Sequence, residues 1–264
     1  MRNFGEDLRL LLEIADQVDR YTLEHFTQRD YQVYEKADLT PVSDIDRGAE
    51  QMIRQALAAA RPDDLIYGEE YGGNAAEATQ ARWIIDPIDG TKNFVRGVPV
   101  WATLIGLEIA GEMVASVVSA PALARRWWAG RGLGSWRSFQ GGQPQANQVS
   151  KISELKDASL SYSSLIGWEE RGKLPAFLEL TRKVWRTRAY GDFYSYMLVA
   201  EGVVDAAAEP ELEIYDMAAL VPIVEEAGGC FTSLEGKKGC VGRNALATNS
   251  HFCLLYTSDA ADDS

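Results

Sequence analysis

Residues 102 to 138 read as two hairpins in succession, "ATLIGLEIAGEMVASVVSAP" turning near Gly111 and then the glycine- and tryptophan-rich "ARRWWAGRGLGSWRS". Together with "LIYGEE" (65 to 70) and "RWIID" (82 to 86), they commit this half of the chain to a largely antiparallel sheet. A sheet so apolar needs a cover, and two upstream helices supply it. The first carries Phe4, Leu8, Leu11, Leu12, Ala15 and Val18 at helical spacing, with Asn3 and Glu6 placed to form a capping box. The second carries Ile45, Ala49, Met52, Ile53, Ala56 and Leu57, begins after Thr40-Pro41-Val42-Ser43 and is stopped by Pro62.

Beyond the polar stretch "GGQPQANQVSKIS" the pattern changes to alternation. Strand "ASLSYSS", a helix at 174 to 184, strand "WRTRAY", a helix at 193 to 201, strand "VDAAAE" and a helix at 215 to 227 follow in turn. Gly228-Gly229 stops the last helix before the short strands "CFTSL" and "ALATN". We therefore expect an N-terminal α+β subdomain over 1–145 and a C-terminal α/β subdomain over 146–252. Residues 253–264 fit neither pattern, and their polar, acidic ending "LLYTSDAADDS" reads as a foreign tail.

A formal net charge of −13 over 264 residues argues against nucleic acid or an anionic membrane surface as partner. Only His25 and His251 are available, too few for a histidine-based zinc site, so a metal must be held by oxygen. Cys230, Cys240 and Cys253 are odd in number and lack metal-ligand spacing, and we expect reduced thiols in a cytoplasm. No signal-type leader is visible, and no apolar run approaches the ~18 residues of a membrane span.

The chemistry is written in acids. The strand "WII" is apolar on both faces, as an interior strand is, and runs into Asp86-Pro87-Ile88-Asp89. Two carboxylates so close repel unless a cation lies between them. Pro87 fixes a backbone angle that can aim the Ile88 carbonyl as a further ligand, so one short loop offers three oxygens of the kind Mg²⁺ prefers. Glu69, after "IYG", and Asp216, opening "YDMAALVPIVEEAGG", could complete the cage, while Asp44 and Asp46 lie at a helix N-terminus. Each acid alone is equally compatible with solvation or a helix-dipole role. Gly90 and Thr91 allow close backbone approach, and "TKNF" can start a helix whose free N–H groups bind phosphate.

In order and spacing, "GEE" (68 to 70), "DPIDGT" (86 to 91) and "YDMAALVPIVEEAGG" (215 to 229) resemble the signature segments of the inositol monophosphatase family. Further stretches, among them "FVRGVPVWATLIGL" and "AYGDFYSYMLVAEGVVDAAAEPELEIYD", look like the branch of that family acting on L-histidinol phosphate. The resemblance implies an α+β, α/β fold built as a layered α-β-α-β-α sandwich, a homodimer, and two or three Mg²⁺ per subunit acting on a small phosphate monoester. It implies Glu69, Asp86 and the Ile88 carbonyl around a tighter ion, and Asp86, Asp89 and Asp216 around a second. A third, weaker ion near Glu69 is implied too. Thr91 and Asp46 match the pair that prepares the attacking water, and Gly90-Thr91 the phosphate-binding amides.

Substrate choice then falls to Asp192 and Glu209, two acids that would favour an ammonium or imidazolium over plain hydroxyls. Asp192 is equally placed to be an ordinary helix cap. Lys36 matches a loop position near the metals, and Arg125, Arg126 and Arg188 could serve a neighbouring subunit's site or brace strands. Trp127, Trp128 and Trp136 read as packing. Two alternatives stay open: the same chemistry on inositol 1-phosphate, fructose 1,6-bisphosphate or a 3′-phosphonucleotide, and a silent relative kept as a scaffold. A phosphoaspartate mechanism is disfavoured, because the acids are spaced D-x-x-D around a proline rather than D-x-D.

Overall fold

The Asn3 side chain accepts from the Gly5 amide and opens α1 (Phe4–Gln28), but the expected reciprocal box with Glu6 does not form, because Asn3 Nδ2 donates to the Glu6 carboxylate instead; the helix ends where Arg29 turns left-handed. In this computed structural model, which describes residues 2–35, 41–73 and 80–253, the short pair β1 (Val33–Glu35) and β2 (Pro41–Ser43) follows. Ser43 then caps α2 (Asp44–Ala60) in a reciprocal box with Asp46, the Ser43 hydroxyl accepting from the Asp46 amide and the Asp46 carboxylate from the Ser43 amide. Next come β3 (Leu65–Gly68), β4 (Gly72–Gly73), β5 (Arg82–Asp89), α3 (Thr91–Arg96), β6 (Ala102–Ile109), β7 (Glu112–Ala120), β8 (Arg125–Gly130), β9 (Gly134–Phe139) and β10 (Gln145–Ala146). The second half contributes β11 (Ser159–Ser161), α4 (Leu165–Glu170), α5 (Leu174–Lys183), β12 (Arg186–Arg188), α6 (Asp192–Ala200) and β13 (Ala206–Glu209). It closes with α7 (Ile214–Ala218), α8 (Leu220–Glu226), β14 (Cys230–Thr232) and β15 (Ala245–Thr248).

The described strands form a large sheet in the order β10-β9-β8-β7-β6-β5-β3-β4 and a smaller one in the order β12-β11-β13-β15-β14. Every pairing in the large sheet is antiparallel except β3 with β5. Its strands are apolar on both faces because both faces are covered. Trp83, Ile85, Ile105, Leu107 and Val117 pack under α1 and α2, while Leu104, Val118 and Trp127 point the other way, toward α6, α7 and α8. The small sheet closes that middle layer through Ala207, Phe231 and Ala247. Its outer face carries Leu160, Ala206 and Leu246 against Trp168 of α4 and Phe177 of α5, whose rings stack at 4.2 Å. The result is the five-layer helix-sheet-helix-sheet-helix sandwich. Among the described residues no helix is long and apolar enough to cross a membrane.

Three local readings of the sequence need correction. The segment Asp86–Asp89 is not a loop: β5 continues through it to Asp89. The single helix expected over 215–227 is two, α7 and α8, because Pro222 has no N–H to give the Ala218 carbonyl and the ladder breaks there. The cysteines are not all reduced thiols either. Cys230 is joined to Cys253, with Cα atoms 5.7 Å apart, and Cys240 is free. Sequence spacing gave no hint of this pair, since it forms only because the chain turns back after β15 toward the start of β14. The rest of the suspected tail, 254–264, lies outside the described residues.

The break at Ala218 meets β6 at Gly106, where an added Cβ would lie 2.9 Å from both the carbonyl carbon and the oxygen of Ala218. A glycine here lets α7 sit directly on the large sheet. Gly106→Ala should therefore destabilise the fold by about 1 to 3 kcal/mol, as overpacking does, read as a lowered urea midpoint; an unchanged midpoint would show that α7 is free to shift.

Candidate active site

In a regular strand, residues three apart point to opposite faces. Here Asp86 pairs with Leu104 and Asp89 with Ala102, so three steps along β5 match two along β6. This bulge absorbs the odd residue and returns Asp89 to the face of Asp86. Trp83 and Ile85 already occupy the α1–α2 face, which leaves Asp86 facing the middle helical layer. The Asp86 carboxylate accepts from the Ile88 amide at 3.0 Å, across Pro87.

Asp216 reaches the same place from α7, and ligand oxygens of Asp86, Asp89 and Asp216 lie within 4.8 Å of one another. Each carboxylate is oriented by one backbone N–H. Asp89 accepts from the Phe193 amide at the start of α6 and Asp216 from the Glu213 amide, both at 2.7 Å. Glu69 arrives through the parallel pairing of β3 and β5, which sets Gly68 opposite Ile85, and the Glu69 amide donates to the Ile85 carbonyl at 3.1 Å. It is therefore the neighbour of Asp86 across the sheet.

Burial holds the Asp86 and Asp89 carboxyls well above the usual carboxylate range, and the charges bearing most strongly on them are themselves negative. For Asp86 these are Glu69, Asp89 and Asp216; for Asp89 they are Asp192, Asp216 and Glu209. Asp216 is pushed up to about 7, first by burial and then by Glu69 and Glu213, against the lowering effect of its backbone hydrogen bond. A cluster this acidic with oxygen donors alone fits a hard divalent cation.

One turn away, the Thr91 hydroxyl lies within hydrogen-bond reach of Asp46 Oδ1 at 3.1 Å and the Ile88 carbonyl at 3.0 Å. Asp46 is fully buried, its other oxygen accepts from Ser43, and burial raises its pKa. Gly90, at φ 84°, is the N-cap of α3, and a Cβ there would come within 3.0 Å of the Val100 carbonyl. Asp44, by contrast, does not join the site, because its carboxylate accepts from the Gln32 amide on the β1 side.

Beside the acids lies a cavity of about 200 Å³ lined by Asp89, Asp192, Tyr196, Glu209, Glu211 and Asp216, among others. Asp192 is not the α6 cap, a position taken by Gly191 with no side-chain bond. It sits at φ 48°, and its carboxylate accepts instead from Asn93 Nδ2 at 2.9 Å, tying α6 to the α3 turn. Glu209 is buried and its pKa rises to about 8 through desolvation, although Ser163 donates to one oxygen at 2.7 Å. Its other oxygen and the Tyr196 hydroxyl are buried without a hydrogen bond of good geometry. Glu211 is paired with Arg171.

Sequence reasoning missed Asn93, Ser163 and Tyr196, which look like ordinary residues until the fold aims them at acids. Arg125 and Arg126 brace the scaffold. One terminal nitrogen of the first donates to both oxygens of Glu201, and the second reaches Asp16 and Asp19 on α1. Arg188 donates to the neighbouring Thr187 carbonyl. Trp127 and Trp128 pack against the cores, and Trp136 donates to the Leu133 carbonyl. Lys36 lies outside the described residues.

Residues 8–259 match the model of the inositol monophosphatase family. The chain is 53% identical to a histidinol-phosphatase of Streptomyces coelicolor, covering 96% of each protein. It is 54% identical to a histidinol-phosphatase of Mycobacterium tuberculosis, over 92% of this chain and 94% of that one. Among solved structures it resembles the extragenic suppressor protein suhB from Bartonella henselae, with a TM-score of 0.84 and 30% identity over 95% of this chain and 96% of that one.

The raised carboxyl pKa values fix a sign. Glu209 ordinarily titrates near 4.5 and here near 8, and Asp216 near 3.8 and here near 7, so the folded protein holds protons that the unfolded chain releases. Cation-free protein should therefore lose stability as pH rises from about 4 to about 8. Melting in chelator across that range should show the fall, and added Mg²⁺ should raise the melting temperature more at pH 8 than at pH 5. A flat profile in chelator would contradict this.

Proposed function

The chain belongs to the inositol monophosphatase family, and from that premise we propose that it is a Mg²⁺-dependent histidinol-phosphatase, converting L-histidinol phosphate and water to L-histidinol and phosphate in histidine biosynthesis. The family is one of metal-dependent phosphatases, and this chain is an enzyme of that class. The observation that carries the substrate assignment is the pairing of the half-buried Asp192 and the buried Glu209 in one cavity beside the Asp86, Asp89 and Asp216 cluster. An alcohol bearing cationic groups would gain charge-assisted hydrogen bonds there, whereas inositol offers only hydroxyls. We further assign the enzyme to the cytoplasm, as a homodimer.

In this reading Glu69, Asp86 and the Ile88 carbonyl would hold one Mg²⁺, Asp86, Asp89 and Asp216 a second, and Glu69 would help hold a weaker third. Such ions, when bound, neutralise the phosphoryl charge and make water acidic enough to react near neutral pH. The protein's own groups do the rest. The Thr91 hydroxyl, donating to Asp46 Oδ1, would pass its own proton to that carboxylate as it accepts one from the attacking water, so the proton ends on Asp46, whose basicity burial raises. Amides at Gly90 and Thr91 would face the phosphate. Attack in line with the leaving alcohol needs no covalent phosphoenzyme. Asp192 and Glu209 would hold the amine and imidazole of the substrate at the far side of the ester.

Asp86→Asn should lower Mg²⁺-dependent phosphate release by about 100-fold or more, judged by the usual effect of losing one preorganised electrostatic group; undiminished turnover would refute the metal assignment. Asp192→Ala should cost about 10- to 100-fold in kcat/KM on histidinol phosphate, the worth of a hydrogen bond to a charged group. On inositol 1-phosphate it should change little. Equal losses on both substrates would remove Asp192 from the specificity argument.

A further inference from the structure

Helix α2 presents Asp46, Glu50 and Arg54 at four-residue spacing, one stripe along a single face. Asp46 has a place in the proposed chemistry, but Glu50 does not, and it is fully buried. Its carboxylate accepts from the Glu70 amide at 2.7 Å through one oxygen, and from the Tyr71 amide at 3.3 Å through the other. Arg54 donates to that same second oxygen at 2.7 Å and to the Gly72 carbonyl, and its guanidinium lies 5.9 Å over the Tyr71 ring. The turn that leaves Glu69 is thus gripped by both charges of an ion pair on α2.

A second observation comes from the other side of Glu69. A Cβ on Gly68 would sit 2.0 Å from Glu50 Oε1 and 2.3 Å from its carboxyl carbon, so the carboxylate fills the space that a side chain at 68 would need. Residues 68, 70 and 71 all shape themselves around Glu50, and residue 69 is the one between them. The backbone on both sides of the Glu69 carboxylate is fixed to α2, and α2 is also the helix that carries Asp46.

We propose that Glu50 is a positioning residue that sets the Glu69 carboxylate toward Asp86 by holding the two amides that follow it, so that one rigid helix aligns the metal cage with the Asp46–Thr91 pair. The proposal rests on reading Glu69 as a metal ligand. A purely structural role for Glu50 would lower melting temperature without selectively weakening metal binding.

The test uses Mn²⁺ as probe, with free ion measured by electron paramagnetic resonance on folded, full-length protein whose melting temperature is recorded alongside. Glu50→Ala should weaken Mn²⁺ binding about 10- to 100-fold, the range for groups that orient metal ligands, and Glu50→Gln, which keeps one acceptor oxygen, by less than about tenfold. Gly68→Ala should mimic Glu50→Ala, since its methyl displaces the carboxylate. In a Glu69→Gln background, Glu50→Ala should add less than about twofold, because residues acting through one another are not additive. Wild-type Mn²⁺ affinity in Glu50→Ala, with Glu69→Gln weakened, would overturn the proposal while leaving Glu69 a ligand. Unchanged affinity in Glu69→Gln would overturn the ligand reading, and the clamp with it. If Glu50→Ala does not fold, Gly68→Ala carries the decision, and wild-type Mn²⁺ affinity in that variant would overturn the proposal.

Discussion

The structure is organised around the mutual repulsion of carboxylates that folding forces together out of water. Asp86 and Asp89 share a face only because β5 carries a bulge, and Asp216 meets them only because α7 lies flat on β6. Each group is desolvated, and each feels its neighbours chiefly as further negative charge. The chain gives each of the three a backbone N–H, from Ile88, Phe193 and Glu213. One such bond is worth too little to offset burial of a lone charge, so what it secures is direction. The remaining deficit is a demand for a cation, and the bulge, the small residue at Gly106 and the break at Pro222 are the features that bring the demand to one point.

Because the acids come from the turn after β3, from β5 and β13, and from α2, α6 and α7, the site exists only when both sheets and the helices between them are assembled. Phe193 shows this coupling. Its amide orients Asp89 from the first half, while its ring packs in the middle-layer core. The Asn93 to Asp192 bond crosses the same junction in the opposite sense. The two halves are therefore joined by polar contacts at the site as well as by apolar packing behind it, and a shift of α6 would disturb the metal side and the substrate side together.

Much of this was legible from sequence. The hairpins at 102 to 138, the cap at Asn3 and the helix stops are local signals, and local signals determine such elements directly. The acids at 69, 86, 89 and 216 announced themselves by type and spacing. The bulge was not readable, because Asp-Pro-Ile-Asp carries turn residues and only the register against β6 reveals that it is strand. Nor were Asn93 and Glu50, since an amide in "TKNF" and an acid in mid-helix are ordinary on their own. Their meaning comes from partners 99 and 20 residues away. The helix break at Ala218 could have been anticipated, as Pro222 was in plain view and its missing N–H has only one carbonyl to abandon.

The same physics separates the two ends of the proposed substrate. On the metal side the acids crowd together; on the alcohol side each has a partner of its own, neutral for Glu209 and Asp192 and cationic for Glu211. Ser163 donates to Glu209, Asn93 to Asp192, and Arg171 pairs with Glu211. Those acids are thus partly satisfied, and among the described residues the acids whose oxygens converge are Asp86, Asp89 and Asp216 rather than these. Glu209 has one oxygen and the neighbouring Tyr196 hydroxyl buried without a hydrogen bond of good geometry, and its desolvation is what an arriving cationic group would relieve in the proposed reading. Under the proposed function, selectivity between ammonium-bearing and neutral alcohols would follow from that graded compensation: a neutral alcohol would leave the acids underpaired as it excludes water from them, and the penalty would fall on the wrong substrate alone.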